Sequence, residues 1–258
     1  MANNELFPPG AALVIGASGG IGGVCAQVLA DDGSAIAACY HSRAEPVADL
    51  ADRIVAAGGA ASTHQLDVSD EQSIAQAIGE AIERHGRIHT LVWAAGPLVE
   101  QMFLSETPLA AWRKAFDIEV HGLFCAMQAI LPHMREQGGG SVVHLGSAGH
   151  LRWPDRDGLS VAPKAANESF LKGIAREEGK HGIRANSVLV GVIDAGMFRE
   201  LSQQGQFPPE WIEQTQLMLA VKRWGQPEEI GYAVSFLASN RAAYVTGQQI
   251  NVSGGFGL

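Results

Sequence analysis

A doubly wound α/β fold, seven parallel strands with helices on both faces of the sheet, is what the sequence predicts, and three observations carry the prediction. Seven short apolar runs punctuate the chain, segments with apolar residues at helical spacing lie between them, and a glycine-rich turn joins the first run to the first helical segment. Strands of a parallel sheet covered on both faces read as near-continuous apolar runs, and each parallel pair needs a crossover long enough to hold a helix. With 258 residues and 47% apolar content the chain can bury one substantial core, so a single domain over 1–258 is expected.

In order, Ala11–Ile15 is the first strand, the turn GASGGIG spans 16–22, and a helix over 21–30 follows. Ala35–Tyr40 is the second strand and 47–57 the second helix; 61–66 and 71–84 are the third pair. A strand over 90–94 leads to one long helix over 109–136, a strand over 141–145 leads to a helix over 159–180, and strands over 184–190 and 248–252 complete the sheet. Gly33, Gly58, Gly86 and Gly182 stand just past helix ends, where a left-handed residue terminates a helix. The stretch 194–209 is polar, holds Gly196, Gly205 and a Pro-Pro pair, and precedes a helix near 210–219. A loop of that length in a compact domain is typically functional, so it is expected to serve as a substrate loop.

Composition narrows the function. A formal charge of −9 with no basic run offers nothing that tracks a phosphate backbone, so no nucleic acid is expected and a small-molecule ligand is. Cys25, Cys39 and Cys125 are odd in number and sit in apolar patterns, which reads as free buried thiols in a reducing compartment. The start MANNELFPPG lacks a basic region followed by an apolar one, and no apolar stretch reaches the roughly 18 residues of a membrane span, so a cytoplasmic protein with no membrane partner is expected. No two histidines share one-turn spacing with a companion carboxylate, so no metal is expected; His121 and His144 read as packing or hydrogen-bonding residues.

The glycine turn lets the backbone approach a pyrophosphate while the helix N-terminus supplies unpaired amides and partial positive charge. Asp67 in LDVSD closes the third strand and the AAG of 94–96 closes the fourth, both at carboxyl ends of strands, where open α/β sheets bind ligands. Together with GSVVHLGSAG, the lysine of SVAPK, RANSVLVG, and RWGQPEEIGYAVSFLAS ending in VTGQQINVSGG, these motifs resemble the short-chain dehydrogenase/reductase family from about 11 to 255.

The resemblance implies a single Rossmann-type domain, a homotetramer and a nicotinamide cofactor. It places the pyrophosphate on Gly16, Ser18, Gly20, Ile21 and Gly22, the adenine between Asp67 and Val68, the adenosine ribose beside Ala95 and Gly96, and the carboxamide against the backbone of Gly191 and Ile193. CYHSR, ending the second strand, has no acidic residue to hold a ribose 2′-hydroxyl, while Ser42 and Arg43 can donate to a 2′-phosphate. NADP(H) is therefore favoured, with NAD(H) as the alternative.

The same resemblance assigns Ser147 to polarise the substrate oxygen and Lys164 to hold the nicotinamide ribose. It also implies a tyrosine four residues before Lys164 and an asparagine in the long helix, where this chain has Ser160 and Glu119. A phenol ionises near pKa 10, a serine hydroxyl is a far weaker acid, and the serine oxygen falls about 4 Å short of a tyrosine hydroxyl. A positioned general acid contributes about 10²–10⁴-fold, so its loss weakens the usual mechanism without abolishing hydride transfer. Lys164, Glu119, His150, Asp155 and Asp157 are the candidate substitutes; His150 follows Ser147 by three residues, and its other reading is a substrate-lining or solvent-exposed histidine, while that of Glu119 is a helix carboxylate paired with Lys164 or a nearby cation.

The expected activity is an NADP(H)-dependent oxidoreductase acting on a carbonyl/alcohol pair with a non-standard proton donor. The alternatives are a cofactor-binding protein with little or no turnover and a lyase that has reused the pocket. Trp93, Pro97, Leu98, Met102, Trp153, Met197 and Phe198 suggest an apolar mouth and a small hydrophobic substrate.

Overall fold

Alternation within each strand sends neighbouring side chains to opposite faces of the sheet, and the first strand shows the result: Leu13 and Ile15 enter one apolar layer, Ala12 and Val14 the other. The computed structural model describes residues 5–258; residues 1–4, the start of the segment in which no leader is expected, lie outside the described residues. Its elements run β1 (Ala11–Ile15), α1 (Gly22–Asp31), β2 (Ala35–Tyr40), α2 (Glu45–Ala56), β3 (Ala61–Gln65), α3 (Glu71–His85), β4 (Ile88–Trp93), α4 (Leu109–Phe116) and α5 (Gly122–Glu136). They continue with β5 (Gly140–Ser147), α6 (Gly158–Glu178), β6 (Ile183–Val190), α7 (Gly196–Gln203), α8 (Pro209–Met218), α9 (Pro227–Ala238) and β7 (Gln249–Val252).

The seven strands form one parallel sheet in the order β3-β2-β1-β4-β5-β6-β7. Helices α3, α5 and α6 cover one face through Ile78, Leu123, Ile130 and Leu171; α1, α2 and α9 cover the other through Leu29, Leu50, Val234 and Leu237. Each such side chain, taken fully out of water, stabilises the fold by about 1.5–3 kcal/mol before conformational entropy is counted. Strand order reverses direction between β1 and β4, and that switch point opens a crevice at the carboxyl ends of the strands.

Two segments differ from expectation. The long helix over 109–136 is continuous in path but widens into a π-helical segment at Asp117–His121, between α4 and α5. The polar stretch 194–209 contains helix α7, and its aromatic residues are packed: Phe207 stacks on Trp211 at 4.2 Å between centroids, and Phe198 meets Trp224 at 5.2 Å. Cys25 and Cys39 are buried free thiols, each pushed up to about 12 by desolvation. Among the described residues no helix is long and apolar enough to cross a membrane.

Candidate active site

The crevice is built by close backbone approach. Gly16 follows β1 with φ of +96°, and a Cβ there would lie 2.6 Å from the carbonyl carbon of Ala94, just past β4; only glycine combines that conformation with that contact. Across the turn, a Cβ on Gly20 would lie 2.7 Å from the amide nitrogen of Gly196 at the start of α7. Helix α1 opens behind Ile21 without a side-chain cap and without an acidic residue in its first turn. Its first amides and its dipole therefore face the turn that holds Ser18, a fit for an anionic pyrophosphate.

Around this turn stand the other expected nucleotide contacts. Ser42 and Arg43 are exposed just beyond β2. The Asp67 carboxylate accepts from the hydroxyl and the amide of Ser69 at 2.7 and 2.9 Å, bonds that hold its carboxyl below the usual range, and His41 Nε2 lies 3.5 Å away. Val68 is partly buried against the core. Ala95 and Gly96 follow β4, and Gly191 follows β6, its amide bonded to the Val252 carbonyl at 3.1 Å. Ile193 has a buried side chain and a β-bridge to Gly225, which leaves its backbone as the part that can face a ligand.

Helix α6 and strand β5 position the groups expected to do chemistry. Ser147 ends β5, and its Oγ accepts from the Gly149 amide at 3.0 Å, capping a short 3₁₀ turn, Ala148–His150. On α6, Ser160 and Lys164 lie one turn apart on one face. Lys164 Nζ donates to Glu119 Oε1 in the π-helical segment; Glu119 is 1% exposed and Lys164 15%. The other oxygen of Glu119, Oε2, is buried without a partner among the described residues. A Cβ on Gly96 would meet Glu119 Oε1 at 2.6 Å and Lys164 Nζ at 3.4 Å, so the ion pair lies directly against Gly96 at the end of β4.

A buried polar line that the sequence does not announce supports this pair. Asn167 Nδ2 donates to the Glu119 carbonyl at 3.0 Å and lies 3.3 Å from His144 Nε2, while His144 Nδ1 lies 3.1 Å from Glu168 Oε1. Burial works to raise the Glu168 carboxyl, but the His144, Ser187 and Gln249 bonds outweigh it and hold the group low. The signal available was Asn167 one turn beyond Lys164, on the same face.

His150 stays outside this network; its Nδ1 is buried with no partner among the described residues. Asp157, at the head of α6, is partly buried, and its Oδ1 accepts from Gln101 Nε2 at 3.2 Å. Burial pushes its carboxyl up, opposed by the Gln101 bond and the Lys164 charge. Of the expected mouth, Trp93 is 0% exposed and belongs to the core, whereas Leu98 and Trp153 are exposed and Met102 and Met197 pack around Leu159 at the head of α6. Trp93 lies in an apolar strand covered on both faces, so no alternation marks which way it points. Among the described residues no group of three side chains is arranged to bind a metal.

The profile of a family described as enoyl-(acyl carrier protein) reductase matches residues 16–257. The chain is 33% identical to an L-rhamnose 1-dehydrogenase (NAD(P)(+)) of Sphingomonas sp. (strain SKA58) over 94% of both chains. It superimposes with a TM-score of 0.88 on a blue fluorescent protein from a metagenomic library in complex with NADPH, 31% identical over 99% of this chain and 100% of that one. A 7α-hydroxysteroid dehydrogenase complexed with NADH and 7-oxo glycochenodeoxycholic acid gives a TM-score of 0.89 at 28% identity, over 99% and 98% of the two chains.

Proposed function

The chain belongs to the short-chain dehydrogenase/reductase family, and on that footing we propose that it is an NADP(H)-dependent oxidoreductase interconverting a carbonyl and an alcohol on a small hydrophobic substrate, with a proton donor other than tyrosine. The observation that carries the reading is the glycine-lined crevice at the β1/β4 switch point with Lys164 at its inner end. When bound, the nicotinamide supplies or accepts the hydride.

The chain's residues bind and orient. Gly16, Ser18, Gly20, Ile21 and Gly22 take the pyrophosphate; Ser42 and Arg43 take the 2′-phosphate that distinguishes NADP(H) from NAD(H); Asp67 and Val68 flank the adenine; Ala95 and Gly96 admit the ribose. An ammonium has three N–H donors. One is spent on Glu119, which leaves two for the nicotinamide ribose. The backbone of Gly191 and Ile193 takes the carboxamide, and Ser147 Oγ donates to the substrate oxygen. Glu119 holds Lys164 in place, and His150 lines the substrate side. The segment 194–209 closes over the ligands as a packed unit, with α7 and its aromatic residues moving together. The protein works in the cytoplasm as a homotetramer.

A second reading, a cofactor-binding subunit with little turnover, draws on Ser160 standing where the family resemblance calls for tyrosine. Fluorescence titration with NADPH and NADH, followed by turnover on ketone and alcohol panels, separates the two. The proposed activity gives tight NADPH binding and reduction of at least one ketone; binding with no turnover selects the second reading.

A further inference from the structure

Residue 119 is held by α6 at two points. Lys164 Nζ donates to its carboxylate, and Asn167 Nδ2, one turn further along the same face, donates to its backbone carbonyl at 3.0 Å. The second contact falls on the π-helical segment, where the Gly122 amide bonds to the Asp117 carbonyl five residues back. A helix widened by one residue has a carbonyl to spare from its ladder, and a buried carbonyl needs a donor from elsewhere. Asn167 supplies one to Glu119.

The Asn167 amide has one workable orientation. Its Nδ2 faces the Glu119 carbonyl and, at 3.3 Å, His144 Nε2; turned over, it would set its oxygen against the carbonyl oxygen. Both Nδ2 hydrogens are therefore committed, and His144 Nε2 must offer a lone pair. The ring hydrogen then sits on Nδ1, 3.1 Å from Glu168 Oε1, and a carboxylate can only accept it. From the edge strand β7, Gln249 Nε2 donates to the other Glu168 oxygen at 2.9 Å. Asn167, His144 and Glu168 are all buried, so water is no ready substitute for any of these bonds.

We propose that Asn167, oriented by His144 and Glu168, is a positioning residue for Lys164. Fixing the Glu119 backbone fixes where its carboxylate takes one Lys164 N–H, and that sets where the other two donors point. A lysine side chain is long and rich in rotamers, so holding it in place before a ligand arrives lowers the entropy cost of binding. This role rests on the reading in which Lys164 holds the nicotinamide ribose, and it names what keeps the lysine in place. It needs no contact between Asn167, His144 or Glu168 and the cofactor.

Two consequences separate positioning from plain support of the core. NADPH and NADH share the nicotinamide ribose, so losing the Asn167 bond should weaken both by the same factor. The loss should also vanish once the lysine is gone, because residues that act through one another are not additive.

The test measures NADPH and NADH dissociation constants by fluorescence, together with melting temperatures. The variants are Asn167→Leu, Asn167→Asp, Lys164→Met/Glu119→Gln, and the last combined with Asn167→Leu. Asn167→Leu should weaken both coenzymes by about 3- to 10-fold, the worth of one hydrogen bond. Asn167→Asp, of the same shape but without the donor, should weaken them at least as much. In the Lys164→Met/Glu119→Gln background Asn167→Leu should change both by less than about twofold. ¹⁵N NMR of the wild-type protein alone should show the His144 hydrogen on Nδ1 and a bare Nε2, a readout that needs neither a variant nor a cofactor. Three results would each overturn the positioning role alone: folded Asn167→Leu that binds both coenzymes within about twofold of wild type, an equal loss with Lys164 already replaced, or a His144 hydrogen on Nε2. Wild type that binds neither coenzyme overturns the oxidoreductase reading, and this role with it.

Discussion

Lys164 and Glu119 form an ion pair across the joint between α6 and the π-helical segment 117–121, with the carboxylate 1% exposed and its second oxygen unpartnered among the described residues. A buried charge pair costs desolvation, and removing one member strands the other, typically at about 3–5 kcal/mol. The pair nevertheless leaves two Lys164 donors free for a ribose.

Lys164→Ala should therefore weaken NADPH binding by about 10- to 100-fold, the worth of charge-assisted hydrogen bonds. Ser160→Ala, which removes no expected cofactor contact, should change it little. The double variant Lys164→Met/Glu119→Gln avoids the stranded carboxylate and should fold more stably than Lys164→Ala while binding NADPH as poorly. Equal, small effects of Lys164→Ala and Ser160→Ala on the NADPH dissociation constant would overturn the role given to α6.

Arg43 is exposed beside the end of β2, on the side expected to meet a 2′-phosphate. Arg43→Ala should weaken NADPH binding by about 10-fold or more and leave NADH binding almost unchanged. Wild-type catalytic efficiency tenfold or more in favour of NADH would contradict the NADP(H) assignment.

Asp157 also makes a stability prediction. Its carboxyl is raised in the folded protein, so the unfolded chain gives up this proton first as pH rises. Between the unfolded value near 3.9 and the higher folded value the unfolded state binds fewer protons, and the contribution of this group to stability falls with pH. Asp157→Asn should raise the melting temperature at pH 7 and bring little gain at pH 3. A gain of equal size at both would show that the carboxyl titrates normally.

Phe124 on α5 is 48% exposed, with its ring 5.9 Å from that of Phe170 on α6, an apolar face suited to association between subunits. Light scattering should report a tetramer, and Phe124→Glu should dissociate it. A 27.2 kDa particle at micromolar concentration would contradict the expected assembly.

Most of the scaffold was legible because it rests on local signals. Apolar runs located all seven strands, and Gly33, Gly58, Gly86 and Gly182 each have positive φ at or just past a helix end. The widened turn at 117–121 was not legible, since DIEVH continues the helical pattern of its neighbours and the irregularity shows only where α4, α5 and α6 meet. The Lys164–Glu119 pair joins residues far apart in sequence, yet pairing with Lys164 was one of the two readings open for Glu119, and it is the one that the structure has. The stretch 194–209 reads as polar because Phe198 and Phe207 are isolated along the chain; they become a cluster only with Trp211 and Trp224 beside them. Asp157 reads in sequence as a loop residue ahead of the helix, and nothing local announces that it heads α6 with its side chain on Gln101.

The claim that proton delivery has been rebuilt around Ser160, rather than merely lost, is tested most directly by Ser160→Tyr, assayed with NADPH on the ketone that wild type reduces best. A tyrosine ring there fills volume that a serine leaves to substrate or water in a rebuilt site, so the account predicts slower reduction of that ketone with NADPH binding retained. A gain approaching the roughly 10²–10⁴-fold general-acid contribution would contradict it, and would mark the wild-type site as a reductase that had simply lost its acid.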